Sequence, residues 1–307
     1  MMALSPFDES NKINIEAYFH WLVTRINHLP DSDINSLLQT YIAIVICHDI
    51  EPKILNESIK IVKNLTAKLI LLSEHQFRSS NLILLSLAAI STYRLLGTQL
   101  PNIVDHVKKV IDKLPEKSSD NSLNERPILF LAGTLNLIPK PSFKVMNYKP
   151  DLLALLNADD LAIQKSITEL ENLTVYGIVR TPIYHGLIDV LEVILFEYLQ
   201  NYNLKIALRL FRMLNYLNVS TKYGIQKSFA FINNQQCPDG SFGFSELEIA
   251  KMDIEFQFND LKNWFKLQNT FSYLWLTAEQ MNSDYRLLRD IGRGPIQGSS
   301  LYQFSRV

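Results

Sequence analysis

The sequence predicts an all-α protein, a ring or partial ring of antiparallel helical hairpins. Three observations carry that prediction. Only 10 glycines occur in 307 residues, strand-like alternation is scarce, and apolar residues recur at helical spacing along most of the chain. Two kinds of helix take turns: amphipathic stretches with a solvated face, and stretches apolar all round that belong inside. Paired antiparallel helices with short polar links, such as "LPDSD" and "QNYN", form either a solenoid or a closed ring. No strict repeat period is visible, which argues against a regular solenoid.

In chain order the pattern predicts helices over 14–29, 34–49, 53–73, 80–97, 101–114, 126–137, 151–172, 182–200, 203–218, 220–234, 246–261 and 264–281. The second, "LLQTYIAIVICHD", is apolar all round. In the third, Leu55, Ile59, Val62, Leu65 and Leu69 share one stripe, and Pro52 sits where a first helical turn tolerates it. The fourth is apolar on every side from Leu82 to Ile90. Within 151–172, "NADD" (Asn157 to Asp160) reads as a helix start capped by Asn157 or Asp159. Two breaks, "PEKSSDNSLNERP" and "IPKPSFKVMNYKPD", hold 5 of the 12 prolines and mark a lobe break near 115–150. They do not separate two compositions, so residues 1–284 read as one domain. Residues 285–307 carry Arg286, Arg289, Arg293 and Arg306 and read as a flexible basic tail.

Charge and composition exclude several function classes. The formal net charge is −1, so no global field recruits nucleic acid or an anionic membrane. Two cysteines, Cys47 and Cys237, make no disulfide framework and suit a reducing compartment. The N-terminus lacks the basic and apolar regions of a signal peptide. The longest apolar runs, "YIAIVIC" and "LILLSLAAI", fall short of the ~18 residues of a membrane span. The expected location is cytoplasmic.

One stretch departs from generic helix, "KSFAFINNQQCPDGSFGF", residues 227–244. The helix must stop at Pro238, turn sharply at Asp239-Gly240, and return an aromatic, Phe242, to pack near Gln236. These residues resemble the QW repeat of the terpenoid cyclase and protein prenyltransferase toroids, with Phe242 in place of the usual tryptophan. The resemblance covers about 55 residues, including "KLQNTFSYLWLTAEQ", which is similar to the inner helix that follows such a turn. It implies an (α/α)6 barrel in which the glutamine caps a neighbouring helix and stacks on the motif's aromatic. Gln236, Asp239, Gly240 and Phe242 are then structural. The chain is also similar to uncharacterised bacterial proteins encoded beside peptide natural-product genes, which pair a Tyr-x-x-His helix with a "QQ-PDGSFG" turn. "IYHGLIDVLEVILFEYL" follows that pattern in part.

The chemistry of those toroids is not visible. "NADD" lacks the first carboxylate of a DxDD acid, DDxxD is absent, and Cys237 stands without a zinc motif. Phosphate loops, HExxH and CxxC pairs are also absent, so no cofactor and no metal is expected. Cys47, His48 and Asp49 are adjacent, and neighbours on a helix point ~100° apart, which excludes joint action; Cys47 reads as core. One polar constellation remains. His185, Asp189 and Glu192 stand at i, i+4 and i+7, within about 60° on an apolar helix. With Tyr184 they are the candidate catalytic groups for acid–base chemistry, and Arg180 the candidate substrate-binding group. The competing account pairs Glu197, Glu192 and Asp189 with Lys205, Arg209 and Arg212 of the next helix.

The expected function is a protein of bacterial specialised metabolism that acts on a peptide or hydrophobic small molecule in a central cavity. The alternative is a non-catalytic binding or scaffold subunit that partners a modifying enzyme; a third reading is a degenerate terpenoid cyclase.

Overall fold

Aspartates set where several helices begin. The computed structural model describes residues 14–26, 33–114, 123–182, 185–217, 223–243 and 258–296, with backbone only for 185, 223 and 258–261. Asp33 accepts a bond from the Ser36 N–H at 3.0 Å and opens α2. Asp151 does the same for Leu153 and Ala154, and Asp159 for Ala162 at 2.8 Å. Each satisfies N–H groups that have no partner inside their own helix.

The helices are α1 Ile15–Ile26, α2 Ile34–Ile50, α3 Leu55–Ile70, α4 Leu82–Leu96, α5 Pro101–Ile111, α6 Arg126–Thr134, α7 Leu152–Leu156, α8 Asp160–Leu173, α9 His185–Gln200, α10 Leu204–Tyr216, α11 Tyr223–Asn233, α12 Phe258–Met281 and α13 Leu287–Asp290. The protein is all-α: among the described residues there is no strand, only an isolated bridge between Gln236 and Phe242. The single helix expected over 151–172 is two, because Asp159 caps afresh after the break at Asn157. Of the helix expected over 246–261, residues 246–257 lie outside the described residues; the remainder is continuous with the helix expected over 264–281, as α12.

The apolar-all-round stretches are the buried ones. In α2 every residue but Asn35 is buried. In α4 burial is unbroken from Leu85 to Thr92, and in α12 from Tyr273 to Glu279. α2 packs against α1, α3, α4 and α12; α4 against α3, α5 and α6; α10 against α8, α9 and α12; and α6 touches α8. α9 lies on α10 and contacts α7 and α11. The window Ser79–Leu96 reaches membrane-spanning length with mean hydropathy 1.2, longer than the apolar run alone. Its apolar residues are instead packed among these neighbouring helices.

Residues 285–296, expected as part of a flexible tail, are docked. Tyr285, Leu287, Leu288 and Ile291 are buried. Two of the arginines that suggested a basic tail are held in place, since Arg289 and Arg293 both pair with Asp290. The rest of that segment, 297–307, lies outside the described residues.

Candidate functional site

The acid stripe read from α9 does not assemble into a described catalytic group. Asp189 is exposed. Glu192 is half-buried, and a Cβ on Gly224 would overlap its carboxylate. Glu192 therefore rests on the first turn of α11, where exposed helix N–H groups favour an acid. Arg180 is exposed in the α8–α9 connection. Tyr184 and the side chain of His185 lie outside the described residues. The arginines of α10 turn to α8: Arg209 grips Glu171 through Nη2 at 2.6 Å and Nε at 3.3 Å, and Arg212 reaches it at 3.4 Å.

The turn after α11 is a packed corner. Asp239 accepts from the Ser241 N–H at 2.9 Å, from the Ser241 hydroxyl at 2.5 Å and from Lys266 at 2.9 Å. Burial works to raise its pKa, but these donors outweigh it and bring the Asp239 carboxyl down to about 2. Gly240 takes φ +85, and a Cβ there would overlap the Ala17 carbonyl. Gln236 donates to the carbonyl of Asn14, just before α1, at 3.2 Å. The partner of the Phe242 ring is Tyr273 of α12, stacked at 4.2 Å and 10°, and the Phe242 N–H meets Thr270 at 3.1 Å. The aromatic stack thus runs to α12, where the resemblance implied a stack on the glutamine.

A different group carries unsatisfied chemistry. It forms where α8, α10 and α12 end. Glu279, 3% exposed, accepts through Oε1 from Trp275 Nε1 at 2.9 Å, and at 3.4 Å from the Tyr216 hydroxyl and the Leu287 N–H. Its Oε2 has no partner among the described residues. Arg212, 4% exposed, lies 4.2 Å over the Trp275 ring; its Nε and Nη1 are likewise unpartnered, as is the side-chain amide of Asn215. Each such buried group costs roughly 1–3 kcal/mol unless water or a ligand meets it.

Burial pushes the Glu279 carboxyl up to about 7, against the opposing pull of Arg212, the Trp275 N–H, Arg286 and the Leu287 N–H. The α8–α9 connection reaches this centre through three successive left-handed residues, Val175, Tyr176 and Gly177. A β-branched residue in that region is strained. The strain lays Tyr176 on Trp275, 5.5 Å apart at 21°, and brings Gly177 against Tyr216.

A second buried carboxylate sits at the end of α2. Asp49 accepts from the Tyr285 hydroxyl at 2.9 Å, from the Gly292 N–H at 3.0 Å and from the Gly294 N–H at 3.3 Å. His48 Nδ1 lies 3.3 Å from the same carboxylate. The expectation that Cys47, His48 and Asp49 point apart is corrected for one pair, because the Asp49 carboxylate lies within reach of the His48 ring, while Cys47 is buried in the core. Sequence reasoning missed Glu279, whose signal is Trp275 and Glu279 at i, i+4 in a buried stretch. Comparison of the chain with protein-family models, with curated proteins and with solved structures gives no match.

Proposed function

We propose that the alternating helices close into a ring, and that the end where α8, α10 and α12 finish is a ligand site for acid–base chemistry. The ring is supported by the order of contacts, α2 to α4 to α6 to α8 to α10 to α12 and back to α2. The acid–base role moves from the α9 stripe to Glu279. The observation that carries it is a buried carboxyl near neutrality, with one free oxygen, coupled to an arginine with free N–H groups. A carboxyl of that kind takes and returns a proton at physiological pH. Arg212 holds an anionic group of the ligand, and the half-buried Tyr176 ring, stacked on Trp275, receives an apolar body. A peptide or hydrophobic small molecule bearing a carboxylate fits that pair of demands, in keeping with a role in bacterial specialised metabolism.

The test is the carboxyl itself. Carbon-13 NMR of labelled glutamate side chains, compared with the Glu279→Gln variant, should show one resonance that titrates near pH 7 and vanishes on substitution. Titration of Glu279 in the ordinary carboxylate range would end the reading. A second reading, a scaffold subunit, is favoured by the exposed side chains of Leu153, Leu156 and Leu161 at the α7–α8 corner. It gains if Leu153→Glu with Leu161→Glu abolishes association with a partner while Glu279→Gln has no functional effect.

A further inference from the structure

Residues 285–296 touch the finishing ends of several helices at once. Asp49 stands in the last turn of α2, Arg94 in that of α4, Glu279 near the end of α12, and Tyr216 closes α10. The segment meets all four. Arg94 Nη1 donates to the carbonyls of Arg289 at 2.7 Å and Ile291 at 2.9 Å, and the Ile296 N–H to the Asp49 carbonyl at 2.6 Å. With the three donors on its carboxylate, Asp49 is the densest attachment of the segment. On the side of the site the grip is looser: the Leu287 N–H lies 3.4 Å from Glu279. Arg286 donates to the Gly177 carbonyl at 3.1 Å and hangs 5.9 Å over Tyr216.

We propose that residues 285–296 are a strap, latched on Asp49 and Arg94, that shutters the Glu279–Arg212 site and must lift to admit a ligand. This rests on the reading of that site above. Three features fit a moving element. The strap leaves α12 through a short turn at 282–284, in which Ser283 and Asp284 are exposed. It ends in two positive-φ glycines, Gly292 and Gly294, which absorb backbone rotation at low cost. Its strongest attachments, on α2 and α4, are made to side chains other than Glu279 and Arg212, while Tyr285 of the latch stands within electrostatic reach of Glu279 as well as of Asp49. The buried Leu287, Leu288 and Ile291 keep the closed form dominant, and a ligand that binds only the open form shifts the population.

The experiment labels carboxyls with a water-soluble carbodiimide and glycine ethyl ester, read by mass spectrometry, beside hydrogen exchange of the amides of 287–294. Wild type is compared with Asp49→Asn and with the milder Tyr285→Phe, which removes one hydroxyl from the latch. Expected is a rise of about tenfold or more in Glu279 labelling in Asp49→Asn, and a smaller rise in Tyr285→Phe, each parallel to faster strap exchange. Hydrogen exchange of the α8 amides, which reports opening of the centre as a whole, is the internal control and should stay slow. Faster strap exchange without Glu279 labelling overturns the shutter, and so does Glu279 labelling only together with faster α8 exchange. Unchanged exchange in both variants overturns the latch. No ligand enters this measurement, so its failure leaves the pH titration of Glu279 to judge the acid–base reading separately.

Discussion

One helix, α12, serves two regions that treat their charged groups in opposite ways. Its middle turns meet the turn at 235–243. There the Asp239 carboxylate has Lys266 and Ser241, the Phe242 N–H has Thr270, and the Phe242 ring has Tyr273. Its last turns meet the centre around Glu279, where a carboxylate oxygen and two guanidinium nitrogens lack partners. Both regions mix acids with aromatic rings, so composition does not separate them. The state of their charged groups does. The corner leaves the neutral amide oxygen of Gln235 without a partner, but both oxygens of its carboxylate are met. A corner whose charges are met by neighbours is explained by holding the chain together, whereas a buried charged group left open invites a ligand.

The largest effect belongs to the corner. Phe242→Ala removes a fully buried, stacked ring and should cost about 3–5 kcal/mol in denaturant unfolding. A loss under ~1 kcal/mol would show a loose turn and dissolve the contrast. Next comes the pH dependence of the centre. The Glu279 carboxyl is raised in the folded state to about 7, so its stabilising share is complete below the ordinary glutamate value and lost as pH climbs to 7. Wild type should lose roughly 3 kcal/mol relative to Glu279→Gln between about pH 4.5 and 7. Parallel stability curves for the two proteins would contradict it.

A smaller effect is expected at Asp239, whose carboxyl is held down at about 2. Its share of stability is present above the ordinary aspartate range and disappears as pH falls toward 2. Asp239→Asn should cost about 1 kcal/mol at neutral pH, and much less in strong acid, when wild type is also protonated. A cost that persists at pH 2 would place the loss in shape, not charge. The smallest effect belongs to the exposed residues read from sequence. Asp189→Asn and Arg180→Gln should each shift stability by less than ~0.5 kcal/mol and leave the Glu279 titration in place. If either abolishes a ligand response that Glu279→Gln leaves intact, the site lies on α9 and the comparison is reversed.

The fold class was legible because helical periodicity and all-round apolarity are local properties. α2, α4 and the latter part of α12 are buried as their composition demands, and caps such as Asp159 lie within three residues of the N–H groups they serve. The sharp bend at Asp239-Gly240 was legible for the same reason. The site was not. An i, i+4 acid stripe on α9 and an i, i+4 Trp275–Glu279 pair on α12 look alike as text. Only the packing of α8, α10 and the connection after α8 around α12 buried the second while leaving Asp189 exposed. Likewise the arginines after residue 284 read as a tail until Asp290 paired with two of them and Asp49, far away in the chain, received the N–H groups of Gly292 and Gly294. Sequence alone determined which segments coil and which faces must leave water, since both follow from neighbours a few positions apart. Which carboxylates lose their solvent, and so which one is pushed toward neutral pH, was decided by contacts between residues tens to hundreds of positions apart, because desolvation is a property of everything that surrounds a group.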